Sequence, residues 1–313
     1  MSIPSSWSLR AARSFLLSTA LLLVALAGLA LSEAHAQNAT ADSSTQDAPE
    51  QSDIYRVETH EGTVYIGTLV QENDEAVVIA TSDGTEVRVL RDNIRDFARV
   101  DPRRIRNGDY WFDNPQPTRY FFAPSAIGLR EGNGYYQNTW VLFNNVNYGV
   151  SDRFSIGAGT VPVFLFGEGV FPIWVLPKVS FSNASANRHL TVGGVLGGVV
   201  GEGESASVGL LYTSGTLGGP DRNLTAGIGY GYQNGSLADT PFFNVSGMTR
   251  VSKRFYLVSE NYFFSGDEVN GLVSFGLRYA PEDFAVDFGL VRPLAGDLDS
   301  FIAFPWLGVA LPF

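Results

Sequence analysis

Residues 224–232 read LTAGIGYGY. In an extended strand Leu224, Ala226, Ile228, Tyr230 and Tyr232 share one side, and Thr225, Gly227, Gly229 and Gly231 share the other. A strand of a soluble sheet turns its apolar side inward and coats the opposite side with charged and polar residues. Here the second side is nearly bare. The same alternation recurs in FSIGAGT (154–160), where Phe154, Ile156, Ala158 and Thr160 oppose Ser155, Gly157 and Gly159. It recurs again in SASVGLLYTSG (205–215), where Ala206, Val208, Leu210 and Tyr212 oppose Ser207, Gly209, Leu211 and Thr213. Small residues suit the inside of a closed barrel whose large residues face lipid. Closure is required, because an open sheet edge in hydrocarbon leaves backbone groups unpaired at several kcal/mol each.

The pattern extends over the last two thirds of the chain. Candidate strands span 119–129, 134–149, 154–166, 171–182, 189–200, 205–216, 224–234, 242–250, 255–265, 269–280, 284–295 and 301–313. Most are long enough for a tilted strand to cross a bilayer. All but five of the 34 glycines lie at or beyond Gly128, which lets a small closed sheet curve tightly. Short, mostly basic turns (151–153, 182–188, 219–223, 250–254, 281–283) alternate with Gly-rich or acidic connections (130–134, 166–170, 201–205, 234–242, 265–268, 296–300). Twelve strands put both barrel ends on one side, expected to be the periplasm. Ten strands remain possible if 119–129 is a lead-in. The aromatic residues of 110–140, among them Tyr110, Trp111, Phe112, Tyr120, Phe121, Phe122, Tyr135, Tyr136 and Trp140, read as an interfacial girdle.

The chain ends on FIAFPWLGVALPF, with Leu307, Val309, Leu311 and Phe313 on one side of a strand. This ending resembles the C-terminal signal of Gram-negative outer-membrane β-barrels, which implies recognition by the barrel assembly machinery. The stretch RYFFAPSAIGLREGNGYYQN (119–138) is similar to the start of small barrels in uncharacterised bacterial envelope proteins, a resemblance that implies no activity.

Arg10 and Arg13 precede an apolar run from Phe15 to Leu31 and an Ala34-His35-Ala36 site, so residues 1–36 read as a cleaved signal peptide. The formal charge of −11 becomes −12 once Arg10, Arg13 and Glu33 are removed, the wrong sign for a nucleic-acid partner. The absence of cysteine excludes disulfides, thiol catalysis and Cys-bound metal.

Residues 37–52 read as a disordered leader, 53–100 as a small β-domain and 101–118 as a linker carrying the basic cluster Arg103, Arg104 and Arg106, expected near the inner leaflet. Within 53–100, turns at 60–62, 72–74 and 82–84 separate four or five short strands, a pattern that resembles SH3-like and Sm-like barrels. Asp74 and Asp83-Gly84 read as hairpin turns rather than cation ligands. Such a domain could dock a periplasmic protein partner.

Four charges fall inside the expected barrel: Lys178, Glu260, Arg278 and Asp287. Val273, Phe275 and Leu277 face lipid, which turns Arg278 inward, and Phe288 and Leu290 do the same for Asp287. A carboxylate at 260 is too costly on the lipid side. The four read as an ion-paired network filling a narrow lumen. The chain has three histidines, His35, His60 and His189, none placed to activate a nucleophile in a barrel wall, and no phosphate loop or metal-spaced set. The sequence therefore predicts an all-β, non-enzymatic protein without cofactor: a twelve-stranded outer-membrane barrel, in contact with outer-membrane lipid, anchoring a periplasmic β-domain. The alternative is a small passive pore for small or cationic solutes.

Overall fold

The computed structural model describes residues 53–106, 109–162, 171–183, 185–200, 207–264, 269–295 and 303–313. The signal peptide and the 37–52 leader lie outside the described residues. The chain divides into two compact units, 1–99 and 100–313.

In the first unit, five antiparallel strands, β1 (Ile54–Thr59), β2 (Val64–Glu72), β3 (Ala76–Thr81), β4 (Glu86–Leu90) and β5 (Ile94–Val100), lie in the order β4-β3-β2-β1-β5. Alternate apolar residues put Val57, Val77, Ile79 and Val89 into one core, against Tyr65, Leu69 and Phe97. The turns follow the sequence signals. Gly62 and Gly84 take positive φ, at 84° and 83°. Asp83 accepts the Thr81 hydroxyl at 2.5 Å and the Thr85 N–H at 3.0 Å, and these bonds hold its carboxyl below the ordinary range. The carboxylate is used by its own turn.

In the second unit, a short hairpin, β6 (Ile105–Arg106) and β7 (Asp109–Tyr110), precedes the wall. The wall strands are β8 (Gly134–Thr139), β9 (Phe143–Gly149), β10 (Phe154–Thr160), β11 (Phe171–Val175), β12 (Lys178–Asn183), β13 (Arg188–Val200), β14 (Ser207–Gly219) and β15 (Arg222–Gln233). They continue, after the two-residue β16 (Ser236–Leu237) that pairs with the end of β15, as β17 (Phe242–Arg250), β18 (Phe255–Phe264), β19 (Val269–Tyr279), β20 (Ala285–Ala295) and β21 (Phe304–Pro312). β11 and β12 keep one register against β10 and β13, so they form a single wall strand interrupted only at Pro177, which has no N–H to give. Twelve wall strands result. β21 pairs with β8, from Gly308↔Thr139 to Pro312↔Tyr135, and the sheet closes.

These are not the twelve strands that the sequence predicts. Residues 119–129 leave the wall altogether, and 134–149 is two strands rather than one. The two differences cancel, so the count and the parity survive. The turn between β8 and β9 carries no Gly, Asn, Asp or Pro: its central residues are Trp140 (φ 52°) and Val141 (φ 65°), closed by the Leu142 N–H on the Thr139 carbonyl at 3.2 Å. Left-handed backbone disfavours a β-branched residue. Val141→Gly is expected to stabilise the folded barrel by about 1 kcal/mol, read as a higher urea midpoint in detergent; an unchanged or lower midpoint would contradict the turn.

The 130–134 connection, expected at the end opposite the C-terminus, lies beside it. Gly134 and Phe313 exchange both backbone hydrogen bonds at 2.9 Å, and the Glu131 N–H meets the Asp152 carboxylate at 3.1 Å.

Outward residues are large: Leu217, Leu224, Phe275 and Phe288 are each more than half exposed. An apolar band of this extent around the wall needs a lipid environment. The face assignments hold for β10, β15, β19 and β20. They reverse on β14, where Tyr212 points inward and Leu211, with Leu217, points out. Tyr212 pairs across the sheet with Gly193 and Gly229, and these two glycines leave the room its ring fills.

Candidate functional site: the filled lumen

The interior of the barrel is occupied by the chain itself. Residues 111–129 enter the lumen from the Phe313 end and turn back at Tyr120–Ala123. There the Tyr120 N–H donates to the Ala123 carbonyl and the Ser125 N–H to the Thr118 carbonyl, both at 2.9 Å. Four consecutive apolar residues, Tyr120-Phe121-Phe122-Ala123, break the two-residue period that a wall strand needs. Tyr120 and Phe121 are essentially inaccessible, packed with Met248, Tyr256, Val258, Trp306 and Ala310 of the wall. The Phe121 and Trp306 rings lie 5.5 Å apart. Phe112, Tyr120, Phe121 and Tyr135 are therefore core residues and not part of an interfacial girdle. Trp140 is exposed at the opposite rim, beside Phe143 and Trp306.

Three inward charges grip the backbone of this hairpin. One Glu260 carboxylate oxygen accepts the N–H groups of Phe121, Phe122 and Ala123, each at 2.9 Å. Arg278, with no exposed surface, donates to the carbonyls of Gln116 (2.6 Å), Arg119 (3.0 Å) and Tyr120 (2.6 Å). It also forms a two-point pair with Asp287, directly across the β19–β20 ladder, at 2.6 and 3.0 Å. Lys178 donates to the carbonyls of Ser125 and Ile127 at 2.7 Å. A tight turn that cannot complete its own backbone bonding is thus satisfied by the wall.

Neutral groups complete the grip. The Tyr120 hydroxyl donates to Asn223 at 2.6 Å and lies 2.7 Å from Thr225. Thr216 accepts the Ala126 N–H at 2.7 Å. Gln137 donates to the Phe121 carbonyl at 3.2 Å. Nearer the Phe313 end, Arg250 donates to the Phe112 carbonyl at 2.8 Å and pairs with Asp221 at 3.1 Å.

All four sequence-predicted lumen residues, Lys178, Glu260, Arg278 and Asp287, point inward and are buried. Only Arg278 and Asp287 bond to one another. The expected network across the lumen is instead a set of separate clamps on an inserted chain, because the hairpin occupies the space between them. Arg119, Tyr120, Gln137, Asn223 and Thr225 are missing from the sequence-based list. The signal for them is the surplus of inward charges without partners on neighbouring strands.

In the basic cluster, Arg104 pairs with Asp113, and Arg106 stacks over Trp111 at 4.4 Å and lies 3.9 Å from Asp221. The side chain of Arg103 lies outside the described residues. Leu307, Val309, Leu311 and Phe313 line the outward side of β21. Among the described residues no group of three or more His, Asp or Glu is arranged to hold a metal ion.

The fold, a closed twelve-stranded antiparallel barrel with an apolar outer side, resembles that of outer-membrane β-barrels. Among solved structures, the chain is similar to the KdgM porin (9% identity, TM-score 0.40, covering 58% of this chain and 98% of that one). It is similar also to the outer-membrane OmpT of Vibrio cholerae (13%, TM-score 0.32, 84% and 95%) and to the P. putida toluene transporter TodX (7%, TM-score 0.32, 83% and 86%). No family model and no curated protein matches the chain.

Proposed function

We propose that this protein is a self-plugged barrel of the outer membrane that anchors the 53–100 unit on its periplasmic side, with no catalytic step of its own. The observation that supports this reading is the hairpin of residues 111–129, whose backbone is bonded by Glu260, Arg278 and Lys178 and whose tip is packed as a core. A passive pore needs a continuous water path. Here the hairpin of residues 111–129 is packed across the lumen between Lys178, Glu260 and Arg278.

The strand order β4-β3-β2-β1-β5, with the last strand returning beside the first, supports reading the small unit as an SH3-like module for a protein partner. Planar-bilayer recording of the refolded mature protein at two salt concentrations tests the anchor. The expected trace is silent in a preparation whose heat-dependent gel mobility shows a folded barrel. Discrete steps that scale with salt would replace the anchor by a pore.

A further inference from the structure

The hairpin leaves one part of the lumen unfilled. Beside its tip and legs lies a cavity of about 60 Å³, enough for a few waters or a very small ligand. Its walls are mostly apolar and aromatic, with Phe122, Tyr135, Tyr212, Phe242 and Tyr262 among them. Two cations, Arg119 and Lys178, also line it, and among the described residues no Asp or Glu does.

The two cations differ in how they are satisfied. The Lys178 ammonium spends two of its three N–H groups on hairpin carbonyls. Arg119 is only 8% exposed, yet among the described residues its guanidinium has no hydrogen-bond partner, and its Nε is fully buried. Its side-chain contact is the face of Tyr135, 5.9 Å from the ring centre. Ser214, on the same cavity, has a buried hydroxyl that is also without a partner among the described residues. A buried guanidinium is among the most costly groups to leave unpaired. Neighbouring Arg250 and Arg278 each have a carboxylate.

We infer that this cavity is a binding site for a small aliphatic carboxylate of about acetate size, its carboxylate held by the Arg119 fork and the Ser214 hydroxyl and its methyl group against the aromatic walls. The planar guanidinium presents paired donors in the spacing that a carboxylate accepts. The site is independent of the anchoring role, since a plugged barrel can hold a ligand beside its plug.

The test uses the full mature chain, refolded in detergent, with acetate, methylamine, ethanol and inorganic phosphate as probes, followed by titration calorimetry. Acetate is expected to bind saturably at one site, at least tenfold more tightly than any of the other three. Arg119→Met is expected to weaken acetate at least tenfold while the ligand-free barrel unfolds at the same urea concentration as wild type or higher, because the lost group had no hydrogen-bond or ion-pair partner to lose. Equal binding of acetate and methylamine, phosphate binding as tight as acetate, or no saturable binding of acetate would overturn the proposal. So would an Arg119→Met barrel that binds acetate normally. An Arg119→Met barrel that is markedly less stable without ligand would also overturn it, by making the guanidinium a structural group. The probe series on the wild-type protein decides the question even if the variant fails to refold.

Discussion

Arg278→Met is expected to destabilise the folded barrel by about 3–5 kcal/mol, the range found when one member of a buried ion pair is removed. Met is close in length to the aliphatic part of Arg, so little packing volume is lost. What is lost is charge and donors. Asp287 remains buried, facing an apolar side chain across the β19–β20 ladder, and the carbonyls of Gln116, Arg119 and Tyr120 lose their donor together. The measurement is the urea midpoint followed by heat-dependent gel mobility, with wild type alongside. Arg278→Met/Asp287→Leu should recover part of the loss, because it removes the stranded carboxylate while leaving the carbonyls unsatisfied. An Arg278→Met barrel with the wild-type midpoint would mean that the hairpin carbonyls and Asp287 are solvated, and the lumen is not packed as described.

The inward charges were legible in the sequence, and their job was not. Arg278 and Asp287 follow from strict alternation with Phe275, Leu277, Phe288 and Leu290, because lipid tolerates only one orientation of those strands. The alternation also placed β10 and β15. It failed on β14, where both faces carry large and small residues. Leu210 and Tyr212 compete with Leu211 and Leu217, and only the glycines opposite Tyr212 on β13 and β15 settle the direction. Those glycines belong to neighbouring strands, so no reading of β14 by itself can use them.

Two further features escaped for local reasons. The β8–β9 turn is made by Trp140 and Val141, which carry no turn signal, so the chain looked extended through it. Residues 119–129 looked like a strand because they are apolar and bounded by Pro117 and Gly132. A segment that fills a lumen is as apolar as one that faces lipid. The difference is period: Tyr120 to Ala123 run together, as a tip surrounded on all sides can, whereas a wall strand must alternate. Glu260 and Lys178 marked the same segment from the other side, since an inward carboxylate and an inward ammonium on strands with no opposite charge across the ladder require a partner from elsewhere in the chain.

Glu260→Ala is expected to turn the silent barrel into one that conducts intermittently. A single carboxylate oxygen serves three consecutive N–H groups at the hairpin tip, and alanine leaves all three without an acceptor, at about 1–3 kcal/mol for each that stays buried. The opposing gain is burial of the Phe121 side chain, worth about 1.5–3 kcal/mol. The balance favours release of Phe121–Ala123, whose N–H groups then meet water, while Tyr120 stays held by Asn223, Thr225 and Arg278. Lys178 and Arg278 still hold the two legs, so the tip swings while the hairpin remains inside, and the current should flicker rather than open permanently. Removing residues 112–127 should give steady steps, because the vacated lumen is lined in part by the small residues Gly227, Gly276, Thr225 and Ser274, and water can then solvate the clamp residues. Gel mobility distinguishes a folded, conducting barrel from a collapsed one. Steady silence of the folded Glu260→Ala protein, with the hairpin still protected from protease, would mean that apolar packing holds the tip without the carboxylate. The clamp would then be a consequence of the plug and not its cause.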